Sequence, residues 1–453
     1  MTGFMDGALP GLMFLGLILG LFSTLPVGIV LMGVTLIFGA VAVATGDLRP
    51  VQLSLMPNRI FGGIIENPVL VAAPMFIFMG IVMEKTRIAE DLLLALQRLL
   101  RAVPGGLALA VTLMGTILAA ATGIIGASVV MLTVLAIPTM IARGYSPALA
   151  AGTVASAGTL GILIPPSIML VFMGDLLTLN LAWLFVAAFL PGLLLAAVYL
   201  VYIVLRAALD PASAPRLPRT PPEPGIWREF AVALALPFLI IVAVLGSILG
   251  GFATPTEASG VGAAAALILG LARGRLSRAV LGEALDSSVS TIAMLFFIFV
   301  GATAFSYVFR HVGGEHFIVE TARSLNLGDW GLLVTMMAMI FIMGFFFDWI
   351  EITLIVLPIF APLVKLMDFG DHVARVDLIY WFAVLVAVNL QTSFLTPPFG
   401  FALFYLKGAA GGLVPMREVY RGIIPFVALQ LLVLGVLIWQ PDIVTALPRA
   451  LLE

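Results

Sequence analysis

Gly161-Ile162-Leu163-Ile164-Pro165-Pro166-Ser167 and Leu395-Thr396-Pro397-Pro398-Phe399-Gly400 decide how this chain folds. One stretch lies in each half, inside a long apolar run. A proline in a helix removes a backbone donor and clashes with the preceding turn, at a cost of about 3 kcal/mol or more. Lipid offers no partner to the freed groups, so such a helix must face protein or a polar cavity. Two matched breaks, one per half, are the sequence pointer to a transporter's binding site.

Composition sets the frame. The chain has 453 residues, 62% hydrophobic and 10% charged, with mean hydropathy +1.20. A soluble domain carries about 25% charged residues, so this is an all-α polytopic membrane protein. It has no cysteine, hence no disulfide framework and no thiolate metal site. His311, His316 and His372 are too scattered for a transition-metal cluster. A net charge of −2 without a basic stripe argues against nucleic acid. The first basic residue is Arg49, so no cleavable leader is indicated and the N-terminal apolar segment is expected to stay.

A spanning helix needs about 20 apolar residues. Candidate spans lie near 8–23, 26–45, 68–83, 147–176, 180–204, 229–250, 256–272, 288–309, 378–405 and 422–440. Apolar blocks at 104–142 and 330–364 read as paired helices, either re-entrant hairpins or full crossings. Residues 84–103, EKTRIAEDLLLALQRLLRAV, have leucines at helical spacing among charges and suit an interfacial helix. Residues 310–330 hold the same place in the second half. Asp210–Gly225, with six prolines, reads as a linker between the halves.

With the N-terminus outside, one side carries Lys85, Arg87, Arg98, Arg101, Arg143, Arg206, Arg216, Arg219, Arg228, Arg273, Arg275, Arg278, Lys407, Arg417 and Arg421. The other carries Arg49, Arg59, Arg310, Arg323, Lys365, Arg375 and Arg449. The richer side is cytoplasmic by the positive-inside rule.

The halves repeat. Phe76-Ile77-Phe78-Met79-Gly80 matches Phe297-Ile298-Phe299-Val300-Gly301. Gly80 to Ser128 is 48 residues and Gly301 to Asp348 is 47; Ser128 to Pro138 and Asp348 to Pro358 are both ten. The double prolines then align after a 12-residue insertion near 367–377. The segments after Gly80 and Gly301 fall on opposite sides, so the repeats are inverted.

Six units follow. Residues 1–103 form scaffold helices and the interfacial arm of the first repeat, and 104–178 the first hairpin and broken helix. Residues 179–228 form a span and cytoplasmic linker. Residues 229–330 and 331–408 repeat the first two units, and 409–453 form a C-terminal span.

Each half offers two irregular places, the turns at 122–128 and 344–351 and the breaks at 158–167 and 392–398. Helix C-terminal ends expose carbonyls that suit Na⁺, and N-terminal ends expose N–H groups that suit a carboxylate. Hard cations prefer oxygen. Carbonyls with Ser128, Thr159 and Ser167 are candidates for one Na⁺ site. Carbonyls with Asp348, Thr392 and Thr396 are candidates for a second. Serine and threonine in membrane helices also bond a carbonyl one turn back, and glycines also permit close packing. Both uses stay open here. Intramembrane carboxylates are expensive and point to function, which singles out Asp348; Glu351 fits a scaffold salt bridge equally well. Asn389 and Gln391 flank the second break, where they would contact substrate or cap a helix. His311 and His316 suit a solvated face.

Several motifs resemble the large membrane subunit of tripartite ATP-independent periplasmic (TRAP) transporters. They are Gly126-Ala127-Ser128 through Pro138, Arg143-Gly144-Tyr145-Ser146-Pro147, Ser156 through Ile168 (SAGTLGILIPPSI), Ala253-Thr254-Pro255-Thr256-Glu257-Ala258, and Thr396-Pro397-Pro398-Phe399-Gly400. The resemblance implies an inverted-repeat elevator fold with two re-entrant hairpins and two broken helices, in the bacterial inner membrane. It implies Na⁺-driven uptake of an organic acid delivered by a periplasmic solute-binding protein. It also implies a small four-helix membrane subunit, here a separate chain. Carried onto these positions, one Na⁺ site comprises Thr122, Gly123, Gly126, Ser128, Gly158, Thr159, Gly161, Pro165 and Ser167. The other comprises Gly344, Asp348, Thr392, Thr396 and Pro397. Ser128, Pro166, Asn389, Gln391 and Pro398 would meet the substrate. Asp348-Trp349-Ile350-Glu351 and Asn389 through Phe394 look like the branch associated with 2-oxo acids, lactate and similar monocarboxylates. No arginine lies near either break, so no guanidinium clamp is expected.

The alternative within transport is a stand-alone Na⁺/carboxylate symporter of a related inverted-repeat family. An intramembrane enzyme would need a catalytic constellation. The chain has no His-Glu-x-x-His, no Gly-x-Gly-Asp and no convincing Ser–His pair, so no enzymatic role is expected.

Overall fold

Proline, glycine and capping residues cut a nearly continuous apolar sequence into helices. The computed structural model describes residues 8–23, 25–122, 125–216, 225–324, 326–397 and 400–452, among which there is no strand. α1 (Ala8–Leu21) and α2 (Val27–Thr45) form an apolar pair, and Gly46 ends α2 with φ of 89°. Short turns α3 (Pro50–Ser54) and α4 (Met56–Ile60), a π-helical turn and a 3-10 turn lead into α5 (Ala72–Lys85) and the arm α6 (Ile88–Leu99). α7 (Gly106–Thr122) and α8 (Ile125–Ala142) are the first hairpin. α9 (Pro147–Thr159) and α10 (Ile168–Leu176) are the first broken helix, followed by α11 (Leu181–Leu209).

The second half runs α12 (Ile226–Leu249), α13 (Pro255–Ala272), α14 (Arg278–His311) and the arm α15 (Gly314–Ser324). The second hairpin is α16 (Gly328–Met343) with α17 (Trp349–Leu366), and the second broken helix is α18 (Arg375–Leu395) with α19 (Phe401–Ala409). α20 (Met416–Trp439) and α21 (Asp442–Leu452) close the chain.

Packing follows a two-fold exchange of the halves. α5 packs on α13 as α14 packs on α2. α10 packs on α17 as α19 packs on α8, and α9 packs on α20 as α18 packs on α11.

Ten helices among the described residues are long and apolar enough to cross a membrane. Four details differ from the expected spans. The first span is a 14-residue helix, shorter than 8–23. The span expected at 288–309 is the 34-residue α14. Its N-cap Ser277 accepts from the Val280 amide at 3.2 Å, and its charged first turns stay helical because water tolerates them where an apolar window does not. α12 starts at Ile226, directly after the linker and three residues before the expected 229. α21 follows the last span as an amphipathic helix too short and too charged to register as apolar sequence. The stretches 147–176 and 378–405 each divide in two at the double proline, as the sequence predicts.

The two apolar blocks are hairpins whose inner ends meet the helix breaks. α9 has 13 residues, so it climbs only about 20 Å at about 1.5 Å per residue. Gly158, near its end, abuts Val129 at the start of α8, and a Cβ there would stand 3.1 Å from the Val129 Cα. The tip of the first hairpin therefore lies level with the first break. Gly344, at the second tip, lies against the Ser393 side chain just before the second break.

Ion pairs gather the basic segments onto one face. Lys85 pairs with Glu283 at 3.4 Å, Arg98 with Glu229 at 2.8 Å, and Arg273 and Arg275 both with Asp91 at 2.9 Å. The Ser146 amide donates to the Ser213 carbonyl at 2.9 Å on the same face. The opposite face carries Arg310–Glu315, Arg375–Asp368 and the pair of Arg449 with the buried Asp377.

α9 and α20 cross at Gly152 and Gly422, where each glycine faces backbone of the other helix and a Cβ would overlap a carbonyl. Small residues at such crossings let backbones approach. Gly422→Ala is expected to destabilise the chain by about 1–3 kcal/mol through overpacking. Gly435→Ala, with nothing within 4 Å, is the control. Thermal unfolding in detergent reads both; equal midpoints would refute the close crossing.

Candidate substrate and cation site

The first break is held by its own hydroxyls. Residues 149–159 of α9 are all buried. The Thr159 hydroxyl donates to the Ser156 carbonyl at 2.9 Å. A 3-10 turn at Leu160–Ile162 follows, and the Ser167 hydroxyl donates to the Ile162 carbonyl at 2.6 Å. Ser167 thus clips the start of α10 to the end of the preceding helical path. Gly161, Pro165 and Pro166 are buried beside it, and the Pro165–Pro166 peptide is cis.

The second break is built alike. The Thr392 hydroxyl donates to the Val388 carbonyl at 3.3 Å, and the Thr396 hydroxyl to the Thr392 carbonyl at 2.7 Å. Pro397 is exposed, and Gly400, at φ 37°, opens α19. Each of these hydroxyls spends its proton on a carbonyl and keeps its oxygen lone pairs for another partner. The local role and the ligand role are therefore compatible.

The tips close over the breaks. Gly126 lies under the Tyr405 ring of α19, where a Cβ would stand 2.9 Å from Cζ. Ser128 is buried two residues further on. The Ser393 hydroxyl donates to the Phe341 carbonyl at 3.4 Å beside Gly344. Phe22, in the α1–α2 turn, meets Phe346 and Phe347 of the second tip with centroids 5.3 and 6.1 Å apart. Gly123 and Pro398 lie outside the described residues. Thr122 is described only as the end of α7.

At the breaks a hydrogen bond joins the two halves directly. Gln391 is fully buried, and its Nε2 donates to the Thr159 carbonyl at 3.1 Å. Its Oε1 is buried with no hydrogen-bond partner. A buried amide oxygen left open is costly unless something fills it. Asn389, expected beside it, faces elsewhere: its Nδ2 donates to the Met337 carbonyl at 2.7 Å and binds α18 to the second hairpin.

Asp348 is the N-cap of α17. Its Oδ1 accepts from the Trp349 amide at 2.8 Å, and Glu351 Oε2 accepts from the Asp348 amide at 3.2 Å. This reciprocal capping box satisfies orphan amides at the helix start. The acidic residue followed three positions later by glutamate was its sequence signature. Glu351 is thereby used in the cap rather than in a scaffold salt bridge.

Sequence reading missed two threonines that the repeat register could have found. Thr133 and Thr353 stand five residues past Ser128 and Asp348. Both are fully buried, and neither hydroxyl has a hydrogen-bond partner.

The geometry can do two things. Carbonyls at the ends of α9 and α18 present negative poles, and the starts of α10 and α19 present positive ones. No basic side chain lies in the described tips or breaks.

Residues 13–443 match the family described as the tripartite ATP-independent periplasmic transporter, DctM component. The chain is similar to the C4-dicarboxylate TRAP transporter large permease protein of Pseudomonas aeruginosa, 32% identical over 388 residues, covering 85% of this chain and 87% of that protein. It is similar to the 2,3-diketo-L-gulonate TRAP transporter large permease protein of Escherichia coli, 27% identical over 434 residues and covering 96% and 97% of the two. Its fold is like that of the YdaH transporter of Alcanivorax borkumensis, with a TM-score of 0.64 at 13% identity, over 95% of this chain and 97% of that one.

Asparagine caps a helix as well as aspartate. Asp348→Asn should therefore leave stability nearly unchanged, while Asp348→Ala should cost about 0.5–2 kcal/mol. Thermal unfolding compares the two; equal losses would show that the carboxylate charge, not the cap, holds the tip.

Proposed function

Because this chain belongs to the DctM component family of tripartite ATP-independent periplasmic transporters, we propose that it is the Na⁺-coupled large permease of such a system and imports a small monocarboxylate. It is a multi-pass protein of the bacterial inner membrane. A tripartite system adds a small membrane subunit and a periplasmic binding protein.

The observation that carries the reading is the meeting of both halves at Gln391 and Thr159. A site shared by two inverted repeats, each with a broken helix, suits alternating access around a fixed substrate position. In this reading α10 and α19 hold the carboxylate by their N–H ends. The carbonyl ends of α9 and α18, with Ser128, Thr159, Ser167, Thr392, Thr396 and Asp348, hold the cations. Hairpins and broken helices would move as one body against α2, α5, α13 and α14, in an elevator motion. The first body is tied together by Gln391–Thr159, Ser393–Phe341 and Asn389–Met337.

The substrate class follows from charge. With no guanidinium at the breaks and with Asp348 and Glu351 at the second tip, a second carboxylate would meet like charge. One carboxylate with a neighbouring oxo or hydroxyl group fits better, as in 2-oxo acids and lactate.

The test is uptake by liposomes holding the permease, its small subunit and the binding protein. Pyruvate or lactate should enter only with an inward Na⁺ gradient and binding protein, and without ATP. Asp348→Asn should raise the Na⁺ concentration for half-maximal uptake about tenfold, the loss of one charged ligand. Gln391→Leu should cut uptake about tenfold or more, leaving the Thr159 carbonyl unpaired. Uptake that persists in K⁺ alone would overturn Na⁺ coupling, preference for succinate would overturn the substrate class, and full activity of this chain alone would favour a stand-alone symporter.

A further inference from the structure

Away from the transport site, on the face that gathers the basic segments, α6, the foot of α12 and the turn after α13 enclose a cavity of about 540 Å³. Its charged lining is Asp91, Arg98, Arg228, Glu229, Arg273 and Arg275. Asp91 accepts from Arg273 at 2.9 Å and from Arg275 through two bonds at 2.9 and 3.1 Å. Glu229 accepts from Arg98 at 2.8 Å. Arg228 makes no ion pair among the described residues and is exposed. Four guanidiniums face two carboxylates, an excess of two positive charges. None of them serves the transport site.

Above Arg228 the helix turns apolar on one side. Val232, Leu239 and Val242 follow on the same face, 46%, 56% and 50% exposed. α12 is 28% buried, the least of the ten spans. Trp227, 67% exposed, sits at the level of the cavity, where an aromatic ring marks the membrane interface. The arm α6 lies beside it with its own apolar face buried through Leu92, Leu93 and Leu96. A polar cavity with excess positive charge thus opens directly onto a bare hydrocarbon-facing stripe.

We propose that this cavity holds the phosphate headgroup of an anionic phospholipid, with an acyl chain along Val232, Leu239 and Val242. The guanidinium fork matches phosphate oxygens bidentately. Basic pockets between spans on the cytoplasmic side select anionic headgroups. The stripe alone would accept any lipid; the two excess charges choose the anionic one, and match the two phosphodiesters of cardiolipin. A lipid there would also bridge α6 to α12 and α13, and so pin the arm to the frame.

Native mass spectrometry of the full chain tests this, using micelles that hold phosphatidylcholine and rising cardiolipin. The wild-type chain should retain cardiolipin in preference. Arg228→Gln should weaken retention about fivefold, the contribution of one interfacial basic residue. Arg228 is exposed and makes no ion pair among the described residues, so this change should leave the unfolding midpoint alone. Arg417→Gln, an exposed arginine of the same face outside the cavity, should change neither. Equal retention by wild type and Arg228→Gln would overturn the proposal. Displacement of the lipid by millimolar inorganic phosphate would make the cavity a free-anion site instead. Loss of bound lipid on adding the small membrane subunit would give the cavity to that subunit.

Discussion

Lipid cannot hydrogen-bond a backbone, and this constraint governs the whole architecture. Two helices are broken at membrane depth, and each frees carbonyls and amides that need partners. The fold answers by burying them. The apolar window of α18 is 89% buried, while that of the unbroken α12 is 28% buried. α9 is buried along its length, and hydroxyls of Thr159, Ser167, Thr392 and Thr396 take up carbonyls at the breaks. The inner ends of the hairpins pack against these breaks, at Gly158 on Val129 and Gly344 on Ser393.

The same burial makes the candidate site. Helix ends that cannot be solvated become preorganised poles, positive at α10 and α19 and negative at α9 and α18. The two halves are joined there by Gln391 on the Thr159 carbonyl, a bond across 232 positions of sequence. Asp348 shows how structure and function share one group. It caps α17, which fixes the second tip, and it is a part-buried carboxylate beside the second break that the proposed function uses as a cation ligand.

Charge outside the membrane has a separate role. The arms and linkers are tied to each other by pairs such as Arg275–Asp91 and Arg98–Glu229. These exposed pairs contribute modestly to stability, yet they fix which segments share a face.

The sequence by itself determined the class, the inverted repeat and the four irregular places. All rest on local physics: a proline breaks its own helix, apolar length sets a span, and spacing registers the halves. It also held the capping box at Asp348 and Glu351, and the matched Thr133 and Thr353, in signals that were legible but unread. The short turns after α2, the full length of α14 and the amphipathic α21 were hidden because apolar windows do not see helix that lies in water or at the interface. Only the tertiary structure decided that the blocks at 104–142 and 330–364 are hairpins, since hydropathy is the same for a chain that crosses and one that turns back. Only it separated Gln391, which reaches the other half, from Asn389 two residues away, which binds its own hairpin. Residues two apart on a helix point to different faces, and what waits on each face is set by helices distant in sequence.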